Sequence, residues 1–337
     1  MGSVDLRYVM PHNWTLAGQA TTTQTDLGSG GYMAGPGYIA SLKKSDNHLY
    51  FQNVYTDRSP GLNSTLGYIS RTDIRRLDSY ANYQWKPTKS RAVMAYGPAA
   101  EGIVIYDHEH RLQNWSFMDG FSITLPRLTI LSLSHEEAYE LYRDIGFRDH
   151  STTLAMFTSW YKWLDMSASY SIGTQPNYYP AKGISPFLAN WVNGSAIITL
   201  HPRTHLRLDE IYYYTRLAGG YVSSTGATPG VIFTNHLIRS KINYQFTRDY
   251  SFNAIFDYNA LLPNNTFVAS TYSKQADTTL LFTYLPHPGT ALYVGYSDTF
   301  QNIDYSADAT PAYRLTNMPG TSTDRQVFVK FSYLLRF

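Results

Sequence analysis

Apolar and polar residues alternate strictly over the last twelve positions of the chain. Counting back from Phe337 in steps of two gives Leu335, Tyr333, Phe331, Val329 and Val327, all apolar or aromatic. The positions between them are mixed and mostly polar, and the same alternation occurs in 238–246 and in 250–259. A period of two residues is typical of a β-strand whose two faces meet different surroundings.

Segments of this kind recur along the whole chain. Most are about ten residues long, the length that a tilted strand needs to cross a bilayer. The pattern predicts 17 strands, at roughly 3–10, 14–25, 35–45, 48–58, 78–87, 92–110, 114–125, 128–140, 150–160, 165–174, 191–201, 205–218, 234–247, 250–262, 277–286, 290–301 and 324–337. Only 134–144 leaves a helix open as an alternative to a strand end.

The connections between these predicted strands alternate in length. Short ones fall at 11–13, 45–47, 87–91, 126–127, 161–164, 202–204, 247–249 and 286–289, and longer ones at 26–34, 59–77, 175–190, 219–233, 263–276 and 302–323. Outer-membrane barrels have short periplasmic turns and long extracellular loops. If the last strand runs towards the periplasm, every short connection is expected on the periplasmic side.

Composition agrees with this pattern. Tyrosine contributes 30 of the 337 residues, and charged residues make up 15%, which is low beside the roughly 25% of an average soluble domain. No run of ~18 apolar residues exists, so a transmembrane helix is excluded. The sequence therefore predicts an all-β fold: a transmembrane antiparallel β-barrel of the outer-membrane type, with about 16–18 strands, located in the bacterial outer membrane.

An odd number of strands is unexpected, because single-chain bacterial barrels have an even number. Two interpretations stay open: the long segment 92–110 hides a turn, or the chain lacks N-terminal strands of a larger barrel. The opening residues MGSVDLRYVMPHN contain no apolar segment of a secretory signal, which favours the second interpretation. We therefore expect residues 1–337 to form a single barrel domain that lacks its first strands.

The absence of cysteine rules out disulfides, thiolate zinc sites, iron–sulfur clusters and attached c-type haem. A net charge of +2 is too balanced to indicate nucleic acid as a partner. No phosphate-binding glycine loop links a strand to a helix. The sequence therefore predicts no cofactor, no resident metal and no nucleic-acid partner.

Three stretches, 59–77, 241–262 and 280–302, resemble the C-terminal barrel region of the DUF5916 family of Gram-negative outer-membrane proteins, as does the end of the chain, FVKFSYLLRF. In that family a sandwich domain resembling carbohydrate-binding modules precedes the barrel, and the resemblance implies that this domain lies outside the present chain. It therefore implies a barrel fold more strongly than a role in carbohydrate uptake.

The C-terminal strand also resembles the signal that the outer-membrane assembly machinery reads in its clients. Phe337, Leu335 and Tyr333 are the residues that carry this resemblance. The expected partners are thus outer-membrane lipid and lipopolysaccharide, that assembly machinery, and other outer-membrane or periplasmic subunits.

Two groups of charged residues are candidate ligand-binding residues. One is Arg71, Asp73, Arg75 and Arg76 in the longest early connection, where arginine forks suit carboxylate or phosphate groups. The alternative is a connection held by internal arginine–aspartate pairs. The other group is Arg239, Lys241 and Lys330, on the face expected to line the barrel, where they either bias the selectivity of a pore or pair across strands.

Two further motifs carry chemistry of lower specificity. His108 and His110 share one strand face, a spacing that suits a divalent metal, but no third ligand accompanies them. Ser134 and His135 lie beside two glutamates, yet neighbours on a strand point to opposite sides, so we expect no catalytic residue and no enzyme.

The sequence leaves three functions open. The first is a porin-like or transport-associated barrel, or a membrane anchor for a glycan-binding module. The second is a structural barrel that holds a partner protein, which suits long loops and a wide interior. The third, an outer-membrane hydrolase, has the weakest support.

Overall fold

The computed structural model describes residues 1–26, 28, 30–64, 67, 69–219, 230–305, 310 and 312–334. Their strands are β1 (Gly2–Met10), β2 (Trp14–Asp26), β3 (Tyr32–Ser45), β4 (Leu49–Arg58), β5 (Ile74–Tyr83), β6 (Ala95–Tyr106), β7 (Leu112–Leu125), β8 (Thr129–Tyr142), β9 (Ile145–Tyr161), β10 (Leu164–Pro176), β11 (Leu188–Arg203), β12 (Leu206–Ala218), β13 (Val231–Gln245), β14 (Tyr250–Pro263), β15 (Ser273–His287), β16 (Thr290–Gln301), β17 (Ile303–Tyr305), β18 (Tyr313–Leu315) and β19 (Thr321–Tyr333).

Seventeen of these strands belong to one sheet, and β17 and β18 form a separate two-stranded hairpin. The sequence prediction of an all-β fold with about 16–18 strands is confirmed. The segment 134–144, where a helix was the alternative, is mostly strand β8. The segment 92–110 contains one strand, β6, followed by a connection at 107–111, so the odd strand count is not a miscount.

The described residues contain no helix that is long and apolar enough to span a membrane.

The chain divides into two compact units. The first comprises Met1–Pro126 and Leu131–Thr153, and the second comprises Arg127–Ile130 and Leu154–Phe337. In the first unit, β1 to β7 pair antiparallel in chain order. In the second unit, β10 to β16 pair in the same way, and β19 pairs with β16.

The clearest departure from the expected alternation of lengths is the connection between β8 and β9. These strands are joined by only Arg143 and Asp144, at the end of the first unit where β4 ends and β5 begins. The two turn residues have φ of 50° and 60°, the left-handed values of a tight hairpin turn. The expectation that every short connection lies at the other end is therefore wrong, because the sequence shows no Asn-Gly or Asp-Gly signal at this turn.

The register of pairing separates a polar face from an apolar face. In the second unit, Phe256 lies opposite Ser240, and Phe252 lies opposite Phe282 on the apolar face. Phe256 is 44% exposed, and Val329 and Phe331 on β19 are 67% and 66% exposed. So much exposed apolar surface requires an apolar environment, which in this class of sheet is lipid.

A small buried core lies at one end of the second unit. It consists of Ala189, Leu217, Ile232 and Val268, with Phe187, Trp191, Phe233 and Phe267 packed around it. The buried Asn177 ties two connections together there: its side-chain amide donates to the Phe267 carbonyl at 2.9 Å, and its backbone N–H donates to the Phe187 carbonyl at 2.8 Å. The connections on this side are thus ordered by apolar packing as well as by strand pairing.

Candidate functional site

The polar face of β12 to β15 carries a row of paired charges. Arg239 lies opposite Asp257 and binds it through two hydrogen bonds, from Nε at 2.5 Å and from Nη2 at 2.9 Å. Asp257 in turn lies opposite Asp277. Two N–H···O contacts to one carboxylate fix the guanidinium plane, so this pair is held rigidly on the sheet surface.

Lys241 occupies the next polar-face position along β13. It lies opposite Asp209, which also accepts hydrogen bonds from Arg207 at 3.0 Å and from Thr199 at 2.7 Å. Lys241 acts on Asp209 electrostatically, whereas Arg239 is held by two hydrogen bonds to Asp257. The structure therefore brings Arg239 and Lys241 together on one face, as the alternation predicts.

Lys330 lies on β19 opposite Tyr293, which itself lies opposite Thr283 on β15. Thr283 lies opposite Ser251 on β14. Ser251 is two residues from Asn253 and therefore shares its polar face. The register thus assigns Lys330 to the polar face. Tyr333 ends β19 and is 61% exposed, whereas Leu335 and Phe337 lie outside the described residues.

The four residues of the early charged cluster do not converge on one point. Arg71 donates to Gln113 at 2.9 Å and to Asn114 at 3.2 Å. Asp73 binds the His108 ring, Arg75 lies 3.5 Å from Asp57, and Arg76 holds Asp78 through two bonds of 2.8 and 2.9 Å. Arg75 and Arg76 are also neighbours on β5, so they point to opposite faces of the sheet.

His108 links three segments of the first unit. Its Nδ1 lies 2.8 Å from Asp73, its Nε2 lies 3.0 Å from Asp57, and its backbone N–H donates to Asp73 at 3.0 Å. His110 lies in the following turn with φ of 63°. Throughout the described residues, no group of three or more metal-ligating side chains is arranged to hold an ion.

The His135 side chain makes its contacts on the opposite side of β8 from Ser134. Its Nδ1 lies 2.9 Å from the Thr152 hydroxyl, and its Nε2 lies 3.6 Å from Glu137. Glu137 also lies 3.4 Å from Arg148. The strand alternation therefore separates Ser134 from the histidine, and these residues do not assemble a nucleophile and base.

A group of acidic residues near the tight β8–β9 turn was not predicted from the sequence. Asp149 and Glu140 line a cavity of about 290 Å³ together with Arg76, and Glu136 lies close enough to act on Asp149 electrostatically. The other face of these strand ends carries His135, Glu137 and Arg148, and the Glu137 carboxylate contacts the other two side chains. Because lipid-facing positions are apolar, this part of β8 and β9 lies outside the membrane-spanning segment. Burial, followed by the charges of Glu140 and Glu136, raises the pKa of Asp149 to about 6.

We expect Asp149→Asn to stabilise the protein above pH 6. The Asp149 pKa is higher in the folded chain than its ordinary value of 3.8, so its ionisation opposes folding. This penalty is absent below pH 4, grows as pH rises to about 6 and is constant above that. Since the side chain is half-buried, a gain of about 1 kcal/mol in unfolding free energy at pH 7.5 is expected.

The measurement is denaturant unfolding of both proteins at pH 4 and pH 7.5. Asp144→Asn, in the exposed turn, is the matched control, because it removes a carboxylate from the same strand ends without touching the cavity. An equal effect of Asp149→Asn at both pH values would contradict the assignment.

Comparisons with known proteins place this architecture in a class. No protein-family model matches the chain, and no curated protein matches it. Among solved structures, it is similar to the siderophore receptor PirA from Acinetobacter baumannii, with a TM-score of 0.50 and 10% identity over 98% of this chain and 62% of that one. The chain thus spans about three fifths of the receptor's length.

Two further solved structures show a weaker similarity. The siderophore receptor PiuA from Acinetobacter baumannii gives a TM-score of 0.45 with 10% identity, covering 98% of this chain and 67% of that one. The outer-membrane expressed OmpT of Vibrio cholerae gives 0.37 with 10% identity, covering 96% and 99%.

The similarity to PirA establishes the fold alone, since only 10% of aligned residues are identical. The chain has the fold of an antiparallel β-barrel of the outer-membrane type. The resemblance to the DUF5916 family stays a prediction.

Proposed function

We propose that this chain works in the bacterial outer membrane as a porin-like or transport-associated barrel for hydrophilic solutes. The observation that carries the proposal is the charged face of β12 to β15, which the barrel fold turns inward. Arg239, Lys241, Asp209 and Asp257 lie on that face, while the opposite face carries exposed apolar side chains such as Ile242 and Phe256. Charged side chains along an interior are suited to water and ions rather than to a dry core.

Aromatic residues at the strand ends support a membrane location. In the first unit, Tyr83, Trp85, Tyr96 and Phe121 form a chain of ring contacts, with centroid distances of 5.0, 5.5 and 6.2 Å. These residues lie at the ends of β5 to β7 that carry the turns predicted to be periplasmic. Aromatic girdles of this kind mark the interface between lipid and water in outer-membrane barrels.

The polar face also offers room for solute. A cavity of about 370 Å³ is lined by His201, His205, Arg207, Asn243 and Asn253, among other residues of β11 to β14. Its lining is rich in hydrogen-bond donors, so it suits a hydrated solute better than an apolar one.

Two substitutions are expected to shift ion selectivity in opposite directions. Lys241→Gln removes a cation and should increase the preference for cations, whereas Asp257→Asn releases Arg239 and should increase the preference for anions. The measurement is the reversal potential of single channels in a planar bilayer under a salt gradient. Phe256→Leu, on the lipid-facing side, is the control and should leave the reversal potential unchanged.

Channels whose reversal potential is identical in all three variants would contradict a role for this face in conduction. Absence of current together with a stoichiometric protein partner would favour the alternative, a barrel that scaffolds a partner. A glycan-binding module attached to the same protein, without conductance, would favour a membrane anchor.

A further inference from the structure

The connection between β16 and β19 contains a small hairpin with two different faces. In the register of β17 and β18, Tyr305 lies opposite Tyr313, and Ile303 lies opposite Leu315. Asp304 and Arg314 lie opposite each other between these pairs and form a salt bridge of 2.7 Å on the other face. One face of the hairpin is thus aromatic and apolar, and the other is ionic.

Asn302 fixes this hairpin to the start of β15. The residue is 2% exposed, and its side-chain carbonyl accepts the Lys274 N–H at 2.7 Å. Its amide donates to the Thr316 carbonyl at 3.0 Å, and its backbone makes two further bonds, to Lys274 and Thr316. Since each polar group of Asn302 is satisfied, the hairpin is held in place without help from the apolar residues.

Those apolar residues remain uncovered. Tyr305 is 65% exposed, and Tyr313 and Leu315 are each 45% exposed. They border a cavity of about 310 Å³, which is also lined by Tyr272, Gln275 and Gln301 among others. An isolated two-stranded hairpin is only marginally stable in water. Here the hairpin is held by Asn302, while its aromatic face stays exposed beside a cavity. An exposed aromatic surface in a fixed position is suited to binding a ligand.

The lining of this cavity restricts the chemistry of that ligand. No carboxylate belongs to the described residues that line it, and the one ammonium group, Lys274 Nζ, already donates to the Asn317 carbonyl at 2.8 Å. Tyrosine rings supply flat apolar surfaces, and the same lining carries hydroxyl and amide groups. Ring compounds with C–H faces and many hydroxyl groups match both features.

We propose that this cavity binds a neutral saccharide. Tyr305 and Tyr313 stack on the sugar ring. The Gln275 Nε2 already donates to Asp277, so its side-chain carbonyl, together with the Gln301 amide, binds the sugar hydroxyl groups. The site lies in the connection at the end of β16, so binding does not depend on whether the barrel conducts.

The test is isothermal titration calorimetry of the purified full chain in an amine-oxide detergent, which carries no sugar headgroup. The probes are maltotriose, cellotriose and chitotriose, with trigalacturonate as an anionic comparison. At least one neutral trisaccharide is expected to bind, and to bind more tightly than trigalacturonate. Tyr313→Ala should weaken that binding by roughly tenfold, the equivalent of about 1.4 kcal/mol.

Tyr313→Phe keeps the ring and should retain the affinity, which separates stacking from loss of the hairpin. Arg314→Gln changes the opposite face of the same strand and should also retain it. The proposal is wrong if none of the three neutral trisaccharides binds, if Tyr313→Ala and Tyr305→Ala leave the affinity unchanged, or if trigalacturonate binds as tightly as they do.

Discussion

Phe256→Arg is expected to destabilise the protein in a bilayer, with a loss of about 2–4 kcal/mol in unfolding free energy. This is the cost of an arginine at mid-membrane depth on a lipid-facing strand. Phe256 is the seventh of the 14 residues of β14, and its ring is 44% exposed on the apolar face. Its direct cross-strand neighbours are Ser240 and Thr278, and the one carboxylate beyond Ser240, that of Glu210, already accepts the Ser240 hydroxyl, so the guanidinium would face hydrocarbon without a free partner beside it. The measurement is urea-dependent folding into phospholipid vesicles.

Asn253→Arg is the matched control, because it adds the same side chain to the same strand on the polar face. Its neighbours across the strands are Asn243 and Leu281, and it lines the cavity of about 370 Å³ on the polar face. A loss well below 1 kcal/mol is expected, as for surface substitutions in general. Equal losses for the two variants would mean that the two faces of β14 do not differ in environment.

The fold was predictable from the sequence because one physical rule governs nearly every strand. A barrel strand has lipid on one side and water on the other, so its alternation is continuous over some ten residues and survives local irregularities. The tight β8–β9 turn escaped prediction for the opposite reason. Arg143 and Asp144 both adopt left-handed backbone values, and although aspartate tolerates them, arginine gives no such signal.

The candidate site was less predictable, because a linear cluster of charges does not specify partners. Arg71, Arg75 and Arg76 are close in sequence, but their partners come from β7, β4 and β5 itself. The alternation of β5 alone indicates that Arg75 and Arg76 diverge. By contrast, Asp149 acquires its environment from strand β8 and from burial, neither of which a sequence position reveals.

The packing of the connections was the other feature that the alternation of apolar and polar residues could not predict. Leu217 lies at a strand end that the alternation treats as an ordinary membrane position, and Ile232 lies in the predicted connection 219–233, yet they are 2% and 0% exposed. Their burial arises from Val268, in a connection whose residues carry no period at all. The buried core therefore depends on contacts between segments that are distant in sequence.

Ile232→Ala is expected to cost about 3 kcal/mol of unfolding free energy. Its side chain is fully buried among Ala189, Leu217 and Val268, so truncation leaves a cavity that neither lipid nor water fills. The loss should also loosen the connections that this cluster holds. Hydrogen exchange of the Asn177 and Val268 amides, which bond to Phe187 and Asn264, is the local readout and should become faster in the variant.

Ile238→Ala removes the same atoms from the same strand, β13, and is the control. Ile238 is 37% exposed on the apolar face, where surrounding lipid or detergent chains occupy the space that the side chain leaves. Without a rigid cavity, only part of the transfer free energy is lost, and a change of about 1 kcal/mol is expected. Its effect on the Asn177 and Val268 amides should be negligible. If both alanine variants cost the same and leave exchange at those amides unchanged, the cluster does not hold the connections, and their order arises from strand pairing alone.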